Sequence, residues 1–233
     1  VDHHQTDLAA AYQRLRDSGY RVGCIGKLDL EKPDTYNGRY GDRPSAYRWG
    51  FTHPEECEGK MHAADAEAEA LLGPYTHYLR DKGELGKFTQ DYQMRAQKGP
   101  IIGMSHDSVL SSEDFEDSYI GRRAAQWIET IPDDFPWHLF VSFVGPHDPF
   151  DPPTDYAEQY RDTAVPSAIP RNQEGKPKWI CNRQIEVNAE ELEHIRRQYC
   201  ALIKLLDDQV GLILDALEKR DMLDNTYIIF TSD

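Results

Sequence analysis

The sequence predicts an α/β fold built on a mainly parallel sheet, and three observations predict it. Three apolar runs of strand length, Tyr20–Gly26, His138–Val144 and Tyr227–Ser232, are rich in β-branched and aromatic residues. Amphipathic helical patterns precede them, and one helix passes into a strand through the two-residue turn Ser18-Gly19. The recurring order of helix, strand and long excursion is that of a layered α/β domain, not of a meander of hairpins.

Each element follows from local chemistry. Thr6 can cap a helix running to Arg16, with Leu8, Ala11, Tyr12 and Leu15 on one face. The first strand comes next. Residues 31–62 lack periodicity and are rich in Pro, Gly, Tyr and Trp, so they read as a long loop leaving the carboxyl edge of the sheet. A short helix is expected over Ala63–Leu72. Residues 73–110 are mixed and broken at Gly73-Pro74 and Gly99-Pro100. Ser112 is expected to cap a helix from Glu113 to about Thr130, with Phe115, Tyr119, Ala124, Trp127, Ile128 and Ile131 as its buried stripe. After the second strand, residues 148–188 form a proline-rich excursion. Asn188 with Glu191 has the spacing of a capping box. It opens the longest helix, to about Lys219, with Leu192, Ile195, Tyr199, Leu202, Leu206, Val210, Ile213 and Leu217 at spacings of three and four.

Composition narrows the function classes. The 233 residues are 39% hydrophobic and 29% charged, enough for one sizeable core. No apolar run reaches the roughly 20 residues that span a bilayer. No signal-peptide pattern is visible, and the compartment is left open. The net charge of −15 argues against nucleic-acid binding, which depends on neutralising phosphates with Lys and Arg. The four cysteines have no C-x-x-C spacing, so neither a zinc site nor a redox pair is indicated. Cys24 and Cys200 read as buried thiols.

Each apolar run ends on a residue suited to chemistry: Lys27, His147 in Gly145-Pro146-His147-Asp148-Pro149-Phe150, and Asp233. Ligands of open α/β sheets sit at the carboxyl ends of the strands. Lys27 offers a point charge for an anionic oxygen. It is not part of a P-loop, because the first glycine stands too close and Leu28 replaces the hydroxyl residue. His147, held between prolines, can donate to an anion or protonate a leaving group. Asp233 follows Thr231-Ser232 and suits an oxygen-liganded cation such as Ca²⁺ or Mg²⁺. Each has an ordinary alternative: a solvated lysine, a loop histidine, a turn aspartate. Asp207-Asp208 reads as a solvated helix face, and His62, His77 and His106 lack ligand spacing. Neither a G-x-S-x-G elbow nor H-E-x-x-H is present.

The combination resembles the sulfatase family of the alkaline-phosphatase superfamily. YRVGCIGKLDL (Tyr20–Leu30) is similar to the segment Y-x-T-x-x-x-G-K-W-H-L. WHLFVSFVGPHDPFDPP (Trp137–Pro153) is similar to the stretch ending P-H-x-P-F-x-P-P. LIKLLDDQVGLILDALEKRDMLDNTYIIFTSD (Leu202–Asp233) resembles the helix-turn-strand leading to T-S-D-H-G or T-S-D-N-G. The resemblance implies an alkaline-phosphatase-like layered fold, incomplete here, with helices on both faces of the sheet. Residues 1–233 would form part of one catalytic domain, with loop-rich insertions at about 31–110 and 148–188. It implies hydrolysis of small-molecule or glycan sulfate esters by a formylglycine and a divalent metal, most often Ca²⁺, with Mg²⁺ as the other candidate. Lys27 would bind a sulfate oxygen, His147 would contact the sulfate or the leaving oxygen, and Asp233 would ligate the metal. Asp29 stands where family members often carry His beside the substrate. A carboxylate there repels sulfate unless it is protonated or paired with Lys27. The formylglycine motif C/S-x-P/A-x-R is absent, and it is expected in a segment preceding Val1. The chain alone is therefore expected to be inactive and to self-associate through exposed strand edges. The alternatives are a phosphodiesterase or phosphonate monoester hydrolase of the same superfamily, and a noncatalytic sulfatase-like binding protein.

Overall fold

The computed structural model of the chain describes residues 11–28, 36–65, 71–97, 105–169, 172–182 and 187–232. Helix α1 (11–17) turns through Ser18-Gly19 into β1 (Arg21–Gly26). Next come α2 (Pro44–Arg48), β2 (His53–Glu56), α3 (Lys60–Asp65), α4 (Pro74–Lys82), α5 (Leu85–Ala96) and α6 (Glu116–Thr130). Strand β3 (Trp137–Ser142), α7 (Thr154–Tyr160), α8 (Lys178–Asn182) and α9 (Ala189–Lys219) follow, and a 3-10 turn spans Leu223–Asn225. The three strands form one parallel sheet in the order β2-β1-β3. All three carboxyl ends therefore open on the same edge.

Strand β1 is the centre of the fold, and its side chains alternate between two cores. Val22 and Cys24 face one side, where Tyr12 and Leu15 of α1, Ala46 of α2, Phe51 and Phe140 close over them. Ile25 faces the other side, against Cys57, Tyr75, Leu79, Tyr119, Ile120, Ala124 and Val144. The sheet thus carries helices on both faces, as the fold class requires. Gly26 ends β1 at φ +106°, and a Cβ there would fall 2.0 Å from the Ser142 carbonyl oxygen. Only glycine lets β1 and β3 stay paired up to the residue before Lys27.

Helix α9 packs along α6 and α7. It starts where the capping box predicts. The Asn188 side chain accepts from the Glu191 amide at 2.9 Å, and Glu191 Oε2 accepts from the Asn188 amide at 3.3 Å. Its buried positions include Ile195, Leu202, Leu205 and Leu217, while Tyr199 is exposed and rests its ring against Phe150. The inward stripe is thus rotated slightly from the one read off the sequence.

Three expectations need correction. First, residues 31–62 are not simply a loop, since residues 36–62 contain α2, β2 and the start of α3, and the helix expected over Ala63–Leu72 instead begins at Lys60, with residues 71–72 non-helical. Strand β2 (His-Pro-Glu-Glu) escapes pattern reading because its two glutamates are held by arginines instead of facing water. Glu56 receives Arg43 through Nε at 2.7 Å and Nη2 at 2.9 Å, and Glu55 receives Arg123 at 2.6 Å through both Nε and Nη2. Pro54 is tolerated because β2 is an edge strand. Second, α6 begins at Glu116 after Phe115, not after Ser112. Third, residues 227–232 form no strand. Tyr227, Ile229 and Phe230 are 100%, 85% and 87% exposed. β-propensity alone makes no strand: the backbone needs a ladder partner and the apolar face needs a cover. Among the described residues this segment has neither: it pairs with no edge of the β2-β1-β3 sheet, and its apolar side chains are uncovered.

Asn188→Ala should destabilise the chain by about 1 kcal/mol, seen as a lower midpoint in urea unfolding. An unchanged midpoint would show that the α9 cap contributes nothing to stability.

Candidate active-site edge

The carboxyl edge of the sheet is built by three loops. The first carries Lys27, whose amide donates to the Ser142 carbonyl at 3.1 Å, extending the β1–β3 ladder by one bond. The second, Cys57-Glu58-Gly59-Lys60, leaves β2, and the Cys57 amide donates to the Gly26 carbonyl at 2.9 Å. The third, residues 143–151, leaves β3 and carries His147.

Lys27 and the second loop touch. Gly59 has φ +76°, and a Cβ built on it would lie 2.9 Å from Lys27 Cδ and 3.2 Å from Cε. The lysine stem therefore lies directly against the Gly59 backbone. His147 sits in a turn closed by its own amide donating to the Val144 carbonyl at 3.2 Å. Its Nδ1 lies 2.6 Å from the Asp148 carbonyl oxygen and 3.1 Å from Asp148 Oδ1. Donation from Nδ1 to these oxygens sets the tautomer and leaves Nε2 as the second ring position. The side chain is half-exposed. The peptide bonds Gly145–Pro146 and Asp148–Pro149 are cis.

Beneath the loops lies a buried polar layer. Lys60 Nζ donates to the Pro149 carbonyl at 2.7 Å and to Asp151 Oδ1 at 2.8 Å, tying the second loop to the third. Tyr92 donates to Asp151 Oδ2 at 2.7 Å. Glu58 accepts from the amides of Tyr75 (3.2 Å) and Thr76 (2.9 Å), closing the N-terminus of α4. Glu116 Oε1 accepts from the Gly59 amide at 3.1 Å, and its Oε2 is buried without a hydrogen-bond partner. Asp117 Oδ1 accepts from the amides of Val144 (2.7 Å) and Gly145 (3.0 Å), and its Oδ2 also lies 3.0 Å from the Gly145 amide.

Burial is the largest influence on these carboxyls. It holds Glu116 well above the ordinary carboxylate range, and the neighbouring Glu58 and Asp117 raise it further. Lys60 and the Gly59 amide pull the other way. Asp117 is raised for the same first reason, against its two backbone donors and Lys60. Burial likewise drives the Cys24 and Cys57 thiols upward, which makes both inert packing groups. Asp207 and Asp208 lie on the exposed face of α9, as the sequence suggests.

Of the four residues singled out in the sequence, the structure brings Lys27 and His147 to the same edge of adjacent parallel strands. Asp29 and Asp233 lie outside the described residues. The sequence reading missed Gly59, Lys60, Glu116, Asp117 and Asp151. One signal was available. Glu116 stands four residues before Ile120 and eight before Ala124, so it shares the buried face of α6 with apolar side chains.

A parallel sheet with helices on both faces and polar loops collected at its carboxyl edge is an open α/β architecture. Two solved structures share it. The phosphonate monoester hydrolase of Agrobacterium radiobacter aligns with a TM-score of 0.59 at 19% identity over 92% of this chain and 44% of that one. The phosphonate monoester hydrolase SpPMH from Silicibacter pomeroyi aligns at 0.56 and 17% identity, over 93% of this chain and 45% of that one. The sulfatase family model matches residues 4–233, and the chain belongs to the sulfatase family. Choline-sulfatase of Rhizobium meliloti is 28% identical over 99% of this chain and 43% of its own length. An arylsulfatase of Clostridium perfringens is 34% identical over 93% of this chain and 44% of its own length. The chain thus spans less than half the length of these curated relatives.

Glu116 favours its protonated form on folding, so its contribution to stability is present below the unfolded pKa of about 4.3 and is lost as pH rises through the elevated folded value. Glu116→Gln removes that loss. In urea titrations between about pH 5 and pH 8, the variant should gain stability relative to the parent as pH rises. A difference independent of pH would mean that Glu116 is not raised by its burial beside Glu58 and Asp117.

Proposed function

We propose that this chain forms part of the catalytic domain of a hydrolase acting on sulfate esters. The observation that carries this reading is the placement of Lys27 and His147 at the carboxyl edge of neighbouring parallel strands, in a chain of the sulfatase family. Relatives named choline-sulfatase and arylsulfatase support the substrate class.

Hydrolysis of a sulfate ester cleaves a bond to the leaving oxygen, and negative charge grows on that oxygen and on the sulfuryl group. The Lys27 ammonium binds a sulfuryl oxygen and offsets part of this charge. Its stem is steadied against Gly59, which limits the freedom a long side chain would otherwise lose on binding substrate. With both ring nitrogens protonated, His147 keeps Nδ1 on Asp148 and donates from Nε2 to the sulfuryl group or to the leaving oxygen, from a loop whose backbone is tied to Asp117.

Two parts of the family's chemistry are not supplied by the described residues. Among them, no group of three or more His, Cys, Asp or Glu could hold a metal ion. None of the four cysteines lies in a C/S-x-P/A-x-R motif. A divalent metal, most often Ca²⁺, with Asp233 as one ligand, and a formylglycine nucleophile remain parts of the proposal for the whole protein. Asp29, two residues beyond Lys27, is proposed to flank the substrate and to pair with that lysine.

Turnover of an aryl sulfate, an aryl phosphonate monoester and an aryl phosphodiester by the full-length protein tests this reading. The sulfate should be turned over fastest, and Lys27→Ala and His147→Ala should each lower kcat/KM by at least about tenfold. A faster phosphonate or phosphodiester reaction would move the assignment to the phosphoryl-transfer relatives. Absence of turnover on all three would favour a noncatalytic binding protein.

A further inference from the structure

Helix α6 enters the site from below, and its first two residues are acidic, adjacent and buried at 2% and 1% exposure. A glutamate and an aspartate side by side in a protein interior cost stability unless hydrogen bonds or opposite charges offset their burial. What they serve is visible in their partners. Glu116 binds the amide of Gly59, the residue against which the Lys27 stem lies. Asp117 binds the amides of Val144 and Gly145, the start of the turn that presents His147. One carboxyl thus reaches the loop behind the lysine, and the next reaches the loop of the histidine. Both project from a single rigid turn of helix, anchored in turn by the α6 contacts with β1, β3 and α9.

We infer that Glu116 and Asp117 are a pair of positioning residues that together fix where Lys27 and His147 stand relative to each other at the anionic subsite. This rests on the reading of Lys27 and His147 as substrate-contacting groups. It adds that their spacing is set by neither strand alone but by α6. Two loops leaving separate strands have independent freedom. Tying both to adjacent residues of one helix removes it, and Lys60 crossing to Pro149 and Asp151 reinforces the link. Neither carboxyl touches substrate, so neither is catalytic in itself.

The crossed pattern of dependence distinguishes this from mere structural support. In the full-length protein, Glu116→Ala should lower kcat on the order of 10- to 100-fold, with KM changing less, and Asp117→Ala should do the same. In a Lys27→Ala background, Glu116→Ala should cost less than about threefold more, while Asp117→Ala keeps its effect; in a His147→Ala background the two exchange roles. Glu116→Gln, which keeps an oxygen for the Gly59 amide, should retain kcat within about threefold. Should either alanine variant fail to fold, Gly59→Ala for the lysine arm and Asp117→Leu, near-isosteric but without either acceptor oxygen, for the histidine arm replace it in the same cycles. Full further losses in both backgrounds would overturn the inference and reduce the carboxyls to general stabilisers.

A second readout does not depend on turnover. The rate at which an amine-specific reagent labels Lys27 should change at least about threefold in Glu116→Ala or Gly59→Ala and stay unchanged in Asp117→Ala. An unchanged rate in all three overturns the inference whatever the substrate proves to be. Changed labelling combined with full activity of Lys27→Ala would instead sink the functional reading and leave the positioning role of Glu116 standing.

Discussion

Where parallel strands end, their last amides lose their ladder partners, and a buried amide left unpaired costs as much as a broken hydrogen bond. The carboxyl edge of this sheet meets that constraint with carboxylates, two from the start of α6 and one from the loop after β2. Asp117 takes two amides beyond β3, Glu116 takes one beyond β2, and Glu58 takes two at the start of α4. The chain can thus leave the sheet in sharp turns at the place where ligands bind in open α/β folds. Remove these acceptors and the loops lose their ties to α6, leaving the Lys60 crossing and their own short turns to shape them.

This solution has an electrostatic side. Glu58, Glu116, Asp117 and Asp151 gather under one edge, and the cation buried among them is Lys60, with Arg95 behind it beside Asp91 and within 3.9 Å of Asp151. Burial first, and then the neighbouring acids, raise the proton affinity of Glu116 and Asp117. Protonation relieves part of the repulsion, and backbone amides relieve the rest. The layer is polar yet closed to water, so its geometry is more demanding than that of an apolar core of equal size.

The elements that could be read from the sequence were those whose chemistry is local. The Asn188–Glu191 capping box predicts the start of α9 to the residue, because both partners lie within one turn. Strand β1 and the turn before it announce themselves through continuous apolar residues and Ser18-Gly19. What escaped reading depends on partners far away in sequence. Strand β2 looks polar until Arg43 and Arg123 arrive, the latter 68 residues on. Asp117 looks like an ordinary first-turn acid until the β3 loop returns to it 27 residues later. The 227–232 run failed in the opposite way. Its composition is that of a strand, but composition supplies no neighbour. Of the candidate site, the strand-end positions of Lys27 and His147 were legible from apolar runs alone, while the layer that holds them was not.

The exposed run Tyr227-Ile228-Ile229-Phe230 gives the net charge of −15 a second meaning. An uncharged, proline-free, β-prone segment is a template on which identical copies can stack. Between copies of this chain, the long-range force opposing that stacking is the repulsion of two acidic bodies, and it reaches only about 10 Å in 0.1 M salt. Colloidal behaviour is therefore set by ionic strength: dilute buffer keeps the copies apart, and salt brings the apolar segments within reach of one another.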